Sequence, residues 1–531
     1  MKKIFINISL ILSLVLLFSS CKKQLTDLYY NPERSTTTNL SGFFTAMLNS
    51  DRVRPAYWNQ RTFLAPHPAV YSQAASFANG SEAYRQIDGY IGNYWSDFYY
   101  PAGNGSGPLG VYRAMEVTYA TLPAAEQANQ EVYMQAAKIF LYDQASKMVD
   151  LFGDIPFSEA GSLEATNAIK DPKFDDAKAL YTTLIKGLDD AATYFANAKL
   201  SATVAPAFNK ADILLTGNLD KWRRYANSIR LRLLMRTSFV DEATARTTVL
   251  NMLSNSTNFP LVDGNNVGSY TPATTDILLQ PLTTNTNSLR SAITEINTYF
   301  APDYALNKLM LPANDPRIPL VYDKFGQTVN NVFVPNKNFR AMPVTYTSNQ
   351  QDTAFTKYSI LDSATFINNI KVPGILITAS EVNFLKAEAF ERWGTTANAQ
   401  TAYNAALAQS VSFYYYLHSI GGGKLSAPLA TDVNTFVNAS TSAYTGTSEE
   451  KLAKIWNQKW LNFGFLQSDQ AWSEYRRTKY PKLTVVPQTL VGFELPPNRL
   501  TYPSVESANN SNYNSVRSKD TRTNKVFWDV K

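Results

Sequence analysis

The chain has 531 residues, 45% hydrophobic and 17% charged, so it can bury a large core and is not globally disordered. Its 49 basic and 43 acidic residues leave a formal net charge of +6, too small and too dispersed to argue for a nucleic-acid partner. A single cysteine excludes an internal disulfide and a cysteine-based zinc site, and two histidines, His67 and His418, are all that a metal site or a His-based triad could draw on.

Residues 1–20 carry Lys2 and Lys3, an apolar run from Ile4 to Phe18, then Ser19 and Ser20. A basic start, a short apolar centre and small residues are the pattern of an export signal. The run is shorter than the roughly 20 residues needed to span a bilayer as a helix. Its small-small-Cys ending resembles a bacterial lipoprotein signal, which predicts cleavage before Cys21 and a lipid on its sulfur; the alternative is an ordinary cleaved signal. Acylation there would make the anchor effectively permanent.

Helical periodicity marks the next elements in turn. Residues 84–101 (YRQIDGYIGNYWSDFYYP) are the densest aromatic stretch. A helix from near Ile91 buries Trp95, Phe98 and Tyr99 and leaves Tyr84, Tyr90 and Tyr94 as candidate ligand contacts. Tyr57, Trp58 and Tyr299 are further candidates, because tyrosine and tryptophan pair an apolar face with a polar edge that suits sugar rings. The glycine-rich GNGSGP (103–108) lacks phosphate-loop spacing and reads as a flexible loop.

Residues 131–152 form a helix stopped by Gly153 and Pro156, and 174–198 form another with Leu180, Leu184, Leu188 and Ala191 on one stripe. Residues 218–238 place Trp222, Tyr225, Ile229 and Leu233 on a stripe, capped by Asn218 or Asp220, with arginine stems covering its edges. The segments 379–394 and 396–417 form an antiparallel pair, and 448–465 a helix opened by Ser448. The tracts 257–294, 312–372, 418–446 and 480–531 are irregular, with short strands such as NNVFVP (330–335). Connections this long are usually functional. Adjacent carboxylates such as Asp189–Asp190 point apart on a helix and are solvated rather than an acid/base dyad. A glycosidase dyad built from distant loops stays open.

The C-terminal third carries Gln458-Lys459-Trp460, Gln470-Ala471-Trp472 and Glu474-Tyr475-Arg476-Arg477 leading to Pro481. Further motifs are Asn31-Pro32, LFGDIPFSEA (151–160), GNLDKWRRYANSIRLRLLMR (217–236), NDPRI (314–318), SEVNFLKAEA (380–389), PNRLTYPSVE (497–506) and Phe527-Trp528-Asp529. Taken in order, these resemble the SusD/RagB family of nutrient-binding outer-membrane lipoproteins of Bacteroidetes, in its starch-binding-associated branch. The resemblance implies a mainly α fold: tetratricopeptide-like helix pairs forming a scaffold, with a loop-rich, irregular ligand-binding half, in a single large domain over 21–531, with long loops at about 257–372 and 418–446. Trp222, Asn227, Arg317, Glu381, Trp460, Trp472 and Arg476, inside the matched motifs, are then structural. It further implies a non-enzyme that captures an oligosaccharide and delivers it to a partner TonB-dependent transporter, outside the cell. Peptide is the alternative ligand and a surface glycoside hydrolase the remaining one. No cofactor is expected; calcium could bind loop oxygens, though no EF-hand-like loop is present. Family ligand residues vary, so none carries over. The post-cysteine KKQLTD delays the first acid to Asp27.

Overall fold

Most of the long helices open on a side chain that accepts a bond from the first turn, which satisfies a backbone donor that has no partner inside the helix. Asp176 accepts from Ala179 N–H at 2.9 Å, Asn218 from Lys221 at 3.0 Å and Thr378 from Glu381 at 3.2 Å. In the computed structural model, residues 39–531 are described apart from 76–81, 103–104, 167, 265–269, 285–287 and 296–298. The export signal and Cys21 therefore lie outside the described residues. Among the described residues no helix is long and apolar enough to cross a membrane.

The helices group into neighbours in sequence. Ala124–Phe152, Ala177–Asn197 and Leu219–Arg236 pack on one another, with Leu40–Leu48 and Pro108–Ala120 against the first. Ala379–Trp393 turns at Gly394-Thr395 into Thr396–Ile420, and Ser448–Phe463 leads into Ser468–Thr478. Gly187 permits the closest approach in the first group, since a Cβ there would meet the Tyr142 ring at 2.3 Å. The chain is mainly helical, with short two-stranded pairs such as Ile277–Leu279 with Gly374–Ile377. Leu180, Leu184, Leu188 and Ala191 are all buried, as their stripe predicts.

Several expectations need correction. The helix at 131–152 begins earlier, at Ala124 behind Pro123. The cap of Ser448–Phe463 is Thr447, not Ser448: Glu450 N–H bonds Thr447 Oγ1, and Glu450 Oε2 accepts from Thr447 N–H at 2.7 Å. Part of GNGSGP is ordered, since Gly105–Ser106 pair with Pro101–Ala102 and Gly107 takes φ +59, where a Cβ would meet Pro101 N at 2.3 Å.

The arginines of Leu219–Arg236 also differ from expectation. Arg223 and Arg224 are half-buried, but Arg232 and Arg236 lie inside the protein. Arg232 grips Glu381 at 2.6 and 2.8 Å and Asp143 at 3.1 Å; Arg236 meets Glu474 and Gln470 at 2.8 Å each. The face that looked polar is buried against carboxylates on three other helices. One periodic segment cannot show such partners. The network continues through Arg477, which bridges Glu388 at 2.6 and 2.8 Å to Glu474, and Lys459, 2.6 Å from Glu474. Burial opposes ionisation of Glu388, but Arg477 and Lys459 outweigh it and hold the carboxyl at about 2.

The seven motif residues are all buried. Trp222 donates its indole N–H to Asp212 at 2.7 Å, Trp460 to the Ser72 carbonyl at 3.0 Å, and Asn227 its amide to the Pro260 carbonyl at 3.1 Å. Arg317 forks onto Asp315, Ser410 and Gln458, and Glu381 receives Arg232. Trp472 meets Tyr71 edge-on at 5.1 Å and lies beneath Arg476, which donates to the Asp150 carbonyl at 2.7 Å.

Candidate functional site: an exposed aromatic platform

Two residues before a short π-helical turn, Asn59–Leu64, set the site. Trp58 opens that turn with 56% of its surface exposed, an unusual state for a tryptophan. Tyr57 meets it edge-on, with ring centroids 4.9 Å apart. The pair is fixed from beneath by Ser288–Glu295, a helix more than two hundred residues away in sequence. Glu295 Oε2 accepts the Tyr57 hydroxyl at 2.6 Å and the Arg61 Nε–H at 3.1 Å. Both bonds fall on one oxygen, and Oε1 has no bond among the described residues.

The bond from Tyr57, seconded by Arg61, holds the Glu295 carboxyl below its usual range. The same bond pushes the Tyr57 hydroxyl above 10. Both groups therefore keep their roles, acceptor and donor, across neutral pH. Tyr90 is half-exposed at the start of Asp88–Tyr99. Ile87 beside it is also exposed. The result is an exposed, edge-on aromatic pair with a fixed carboxylate and a cation at its margin.

Of the six aromatic candidates, Tyr57 and Trp58 come together and Tyr90 is half-exposed on Asp88–Tyr99. Tyr84 and Tyr94 do not reach the surface and are corrected to core. Tyr94 lies face to face with Phe63 at 3.5 Å, and Arg52 covers its ring at 3.8 Å, so both faces are occupied. Tyr84 is 1% exposed, and burial pushes its hydroxyl up to about 12. Trp95 and Phe98 are buried and Tyr99 half-buried, as the helical spacing predicts. Tyr299 is half-buried and stacks on Phe300 at 4.6 Å rather than on the platform. Sequence reasoning missed Glu295, and with it the role of Arg61, because a polar anchor supplied by a helix more than two hundred residues away leaves no local pattern.

Two larger clefts lie elsewhere. One of about 330 Å³ sits among Lys178, Asp189, Arg230 and Thr244, and one of about 580 Å³ among Pro316, Pro319, Leu425 and Leu429. Among the described residues no group of three or more His, Cys, Asp or Glu side chains could hold a metal ion. His67 is buried, and burial lowers its pKa to about 4.

The helical scaffold with its irregular loops is shared by a defined family. The chain belongs to the SusD-like family described as "Starch-binding associating with outer membrane", whose model matches residues 32–503. Solved structures share the fold. It is similar to a chitin-binding protein (23% identity, TM-score 0.72, 93% of this chain and 100% of that one). A chitin-binding SusD homologue from Flavobacterium johnsoniae gives 21% identity and a TM-score of 0.69 over 93% of this chain and 99% of that one. A SusD homologue from Bacteroides thetaiotaomicron gives 20% and 0.67 over 93% and 100%. No curated protein matches the chain.

Proposed function

We propose that this is a non-catalytic, lipid-anchored binding protein of the outer membrane that captures an oligosaccharide on the Tyr57–Trp58 platform and delivers it to a partner TonB-dependent transporter. The exposed Trp58 ring, held beside the Glu295–Arg61–Tyr57 cluster, carries the reading. A pyranose presents an apolar face rimmed by hydroxyls, and this surface pairs an indole face with the Glu295 carboxylate as acceptor and the Arg61 guanidinium as donor. The starch-binding description of the family and the chitin-binding titles of two structural neighbours support a glycan over a peptide.

Calorimetry against starch-derived and chitin-derived oligosaccharides and a tryptic peptide pool tests the ligand. Glycan binding that Trp58→Ala weakens supports the reading; binding only to peptides, or hydrolysis of the glycan, overturns it. Delivery predicts that the native protein leaves the outer membrane together with a large barrel protein. Recovery as a clean monomer in mild detergent would count against delivery alone. Mass spectrometry of the mature N-terminus tests acylation at Cys21.

A further inference from the structure

The strands Gly326–Val329 and Val332–Pro335 form a hairpin none of whose side chains belongs to a buried hydrophobic cluster. Among the described residues Phe333 meets only the half-buried ring of Phe325, with centroids 6.5 Å apart. Its turn, Asn330-Asn331, takes φ of 51° and 62°, the left-handed pair that a tight two-residue hairpin turn requires. Register places Val329 opposite Val332, Thr328 opposite Phe333 and Gln327 opposite Val334. Alternation then puts Val329, Val332 and Val334 on one face and Phe333 on the other. All four are exposed: 45%, 63%, 47% and 55% respectively. The two strands form a sheet on their own. A soluble surface that leaves both faces of one hairpin apolar is uncommon.

The root of the hairpin is cationic. Asn336 N–H bonds the Lys324 and Phe325 carbonyls at 3.1 and 2.8 Å, and its side chain bonds the Thr356 carbonyl at 2.8 Å. These bonds bring Lys324, Lys337 and Lys357 to one end. Arg340 lies over Tyr358, next to Lys357. Residues 324–357 hold these four cations and a single acid, Asp352, so this short stretch carries half of the formal net charge of the chain.

We propose that this hairpin docks into an anionic lipid surface, its four apolar side chains entering between headgroups and its cationic root meeting them. Two observations favour lipid over a protein or a sugar. A partner that lies against the hairpin covers one face and leaves Phe333 or the valines in water, whereas a lipid interface surrounds the tip on every side. The positive collar complements an anionic surface and stands just behind the tip, as interfacial insertion requires. The inference is independent of the glycan reading, since it uses no platform residue.

The test uses the chain begun at Lys22, which keeps the whole packed body and has no acyl group of its own. It is sedimented with vesicles of phosphatidylcholine alone and of phosphatidylcholine mixed with phosphatidylglycerol. Co-sedimentation is expected with the mixed vesicles, weakening as salt rises, and falling at least about tenfold in Val332→Asp/Phe333→Asp. Lys337→Glu/Lys357→Glu should weaken binding to the mixed vesicles. The thermal transition of each variant should match the parent, since these side chains are solvent-facing. Absence of vesicle binding by the parent, or equal binding by the Val332→Asp/Phe333→Asp variant, overturns the proposal. So does a parent dimer in sedimentation velocity that this variant dissolves without any vesicle binding, because the hairpin would then serve a second copy by strand pairing.

Discussion

Trp58 adjoins the π-helical turn Asn59–Leu64 in sequence and Tyr94 stacks on its Phe63, yet their rings have opposite fates. Tyr94 is sandwiched between Phe63 and Arg52, while Trp58 keeps a free face. Replacing them should separate binding from stability. Trp58→Ala is expected to weaken glycan binding about tenfold, or ~1.4 kcal/mol, with an unchanged melting temperature in calorimetry. Tyr94→Ala should act the other way, costing about 3–5 kcal/mol of stability in denaturant titration. At this scale the sequence named the right residue types but could not sort them. Tyr84, Tyr90 and Tyr94 share one aromatic run, and packing from distant segments, such as Phe63 and Arg52 across Tyr94, decides which ring is wet.

The helices themselves were legible where one face is apolar and a cap is present, as in Ala177–Asn197 and Ala379–Trp393. They were misread where a polar residue is buried. Arg232 and Arg236 have hydropathies that predict solvent, and only their carboxylate partners on other helices make burial tolerable. Arg477→Met is expected to cost about 3–5 kcal/mol, because it leaves Glu388 and Glu474 charged inside the protein with fewer partners; urea unfolding measures this. A second helix junction gives a pH response. Asp276 accepts the Ala379 N–H at 2.8 Å, at the start of Ala379–Trp393, and the Tyr270 hydroxyl at 2.8 Å. Burial pushes its carboxyl up to about 7 despite both bonds, from an ordinary value of 3.8. Since the folded group holds its proton more tightly than the unfolded one, stability is greatest with the acid neutral. It falls as pH rises from about 4 to about 7 and then levels. Asp276→Asn, neutral throughout, should shrink the drop in melting temperature between about pH 5 and pH 8.

Across the whole molecule, the segment after Pro497 returns to the earliest described helices. Leu500 N–H bonds the Leu151 carbonyl at 2.9 Å, Gln86 and Thr501 exchange bonds of 2.9 and 3.0 Å, and Ser504 N–H reaches Asp88 at 2.9 Å. Trp528 is fully buried and donates its indole N–H to Asp150 at 2.8 Å. Trp528→Ala is therefore expected to cost about 3–5 kcal/mol and to lower the single cooperative transition rather than split it, as read by calorimetry with two spectroscopic probes. No local pattern announces such a closure, although Phe527-Trp528-Asp529 was already visible as a motif. The seam also sets an order of events in time. Asp88–Tyr99 and Ala124–Phe152 emerge from the ribosome some four hundred residues before the strands of chain that cover them. At about 5–20 residues per second, that is a wait of tens of seconds with Trp95 and Phe152 lacking their Tyr502 neighbour, long enough for any chaperone that grips exposed aromatic surface to find them.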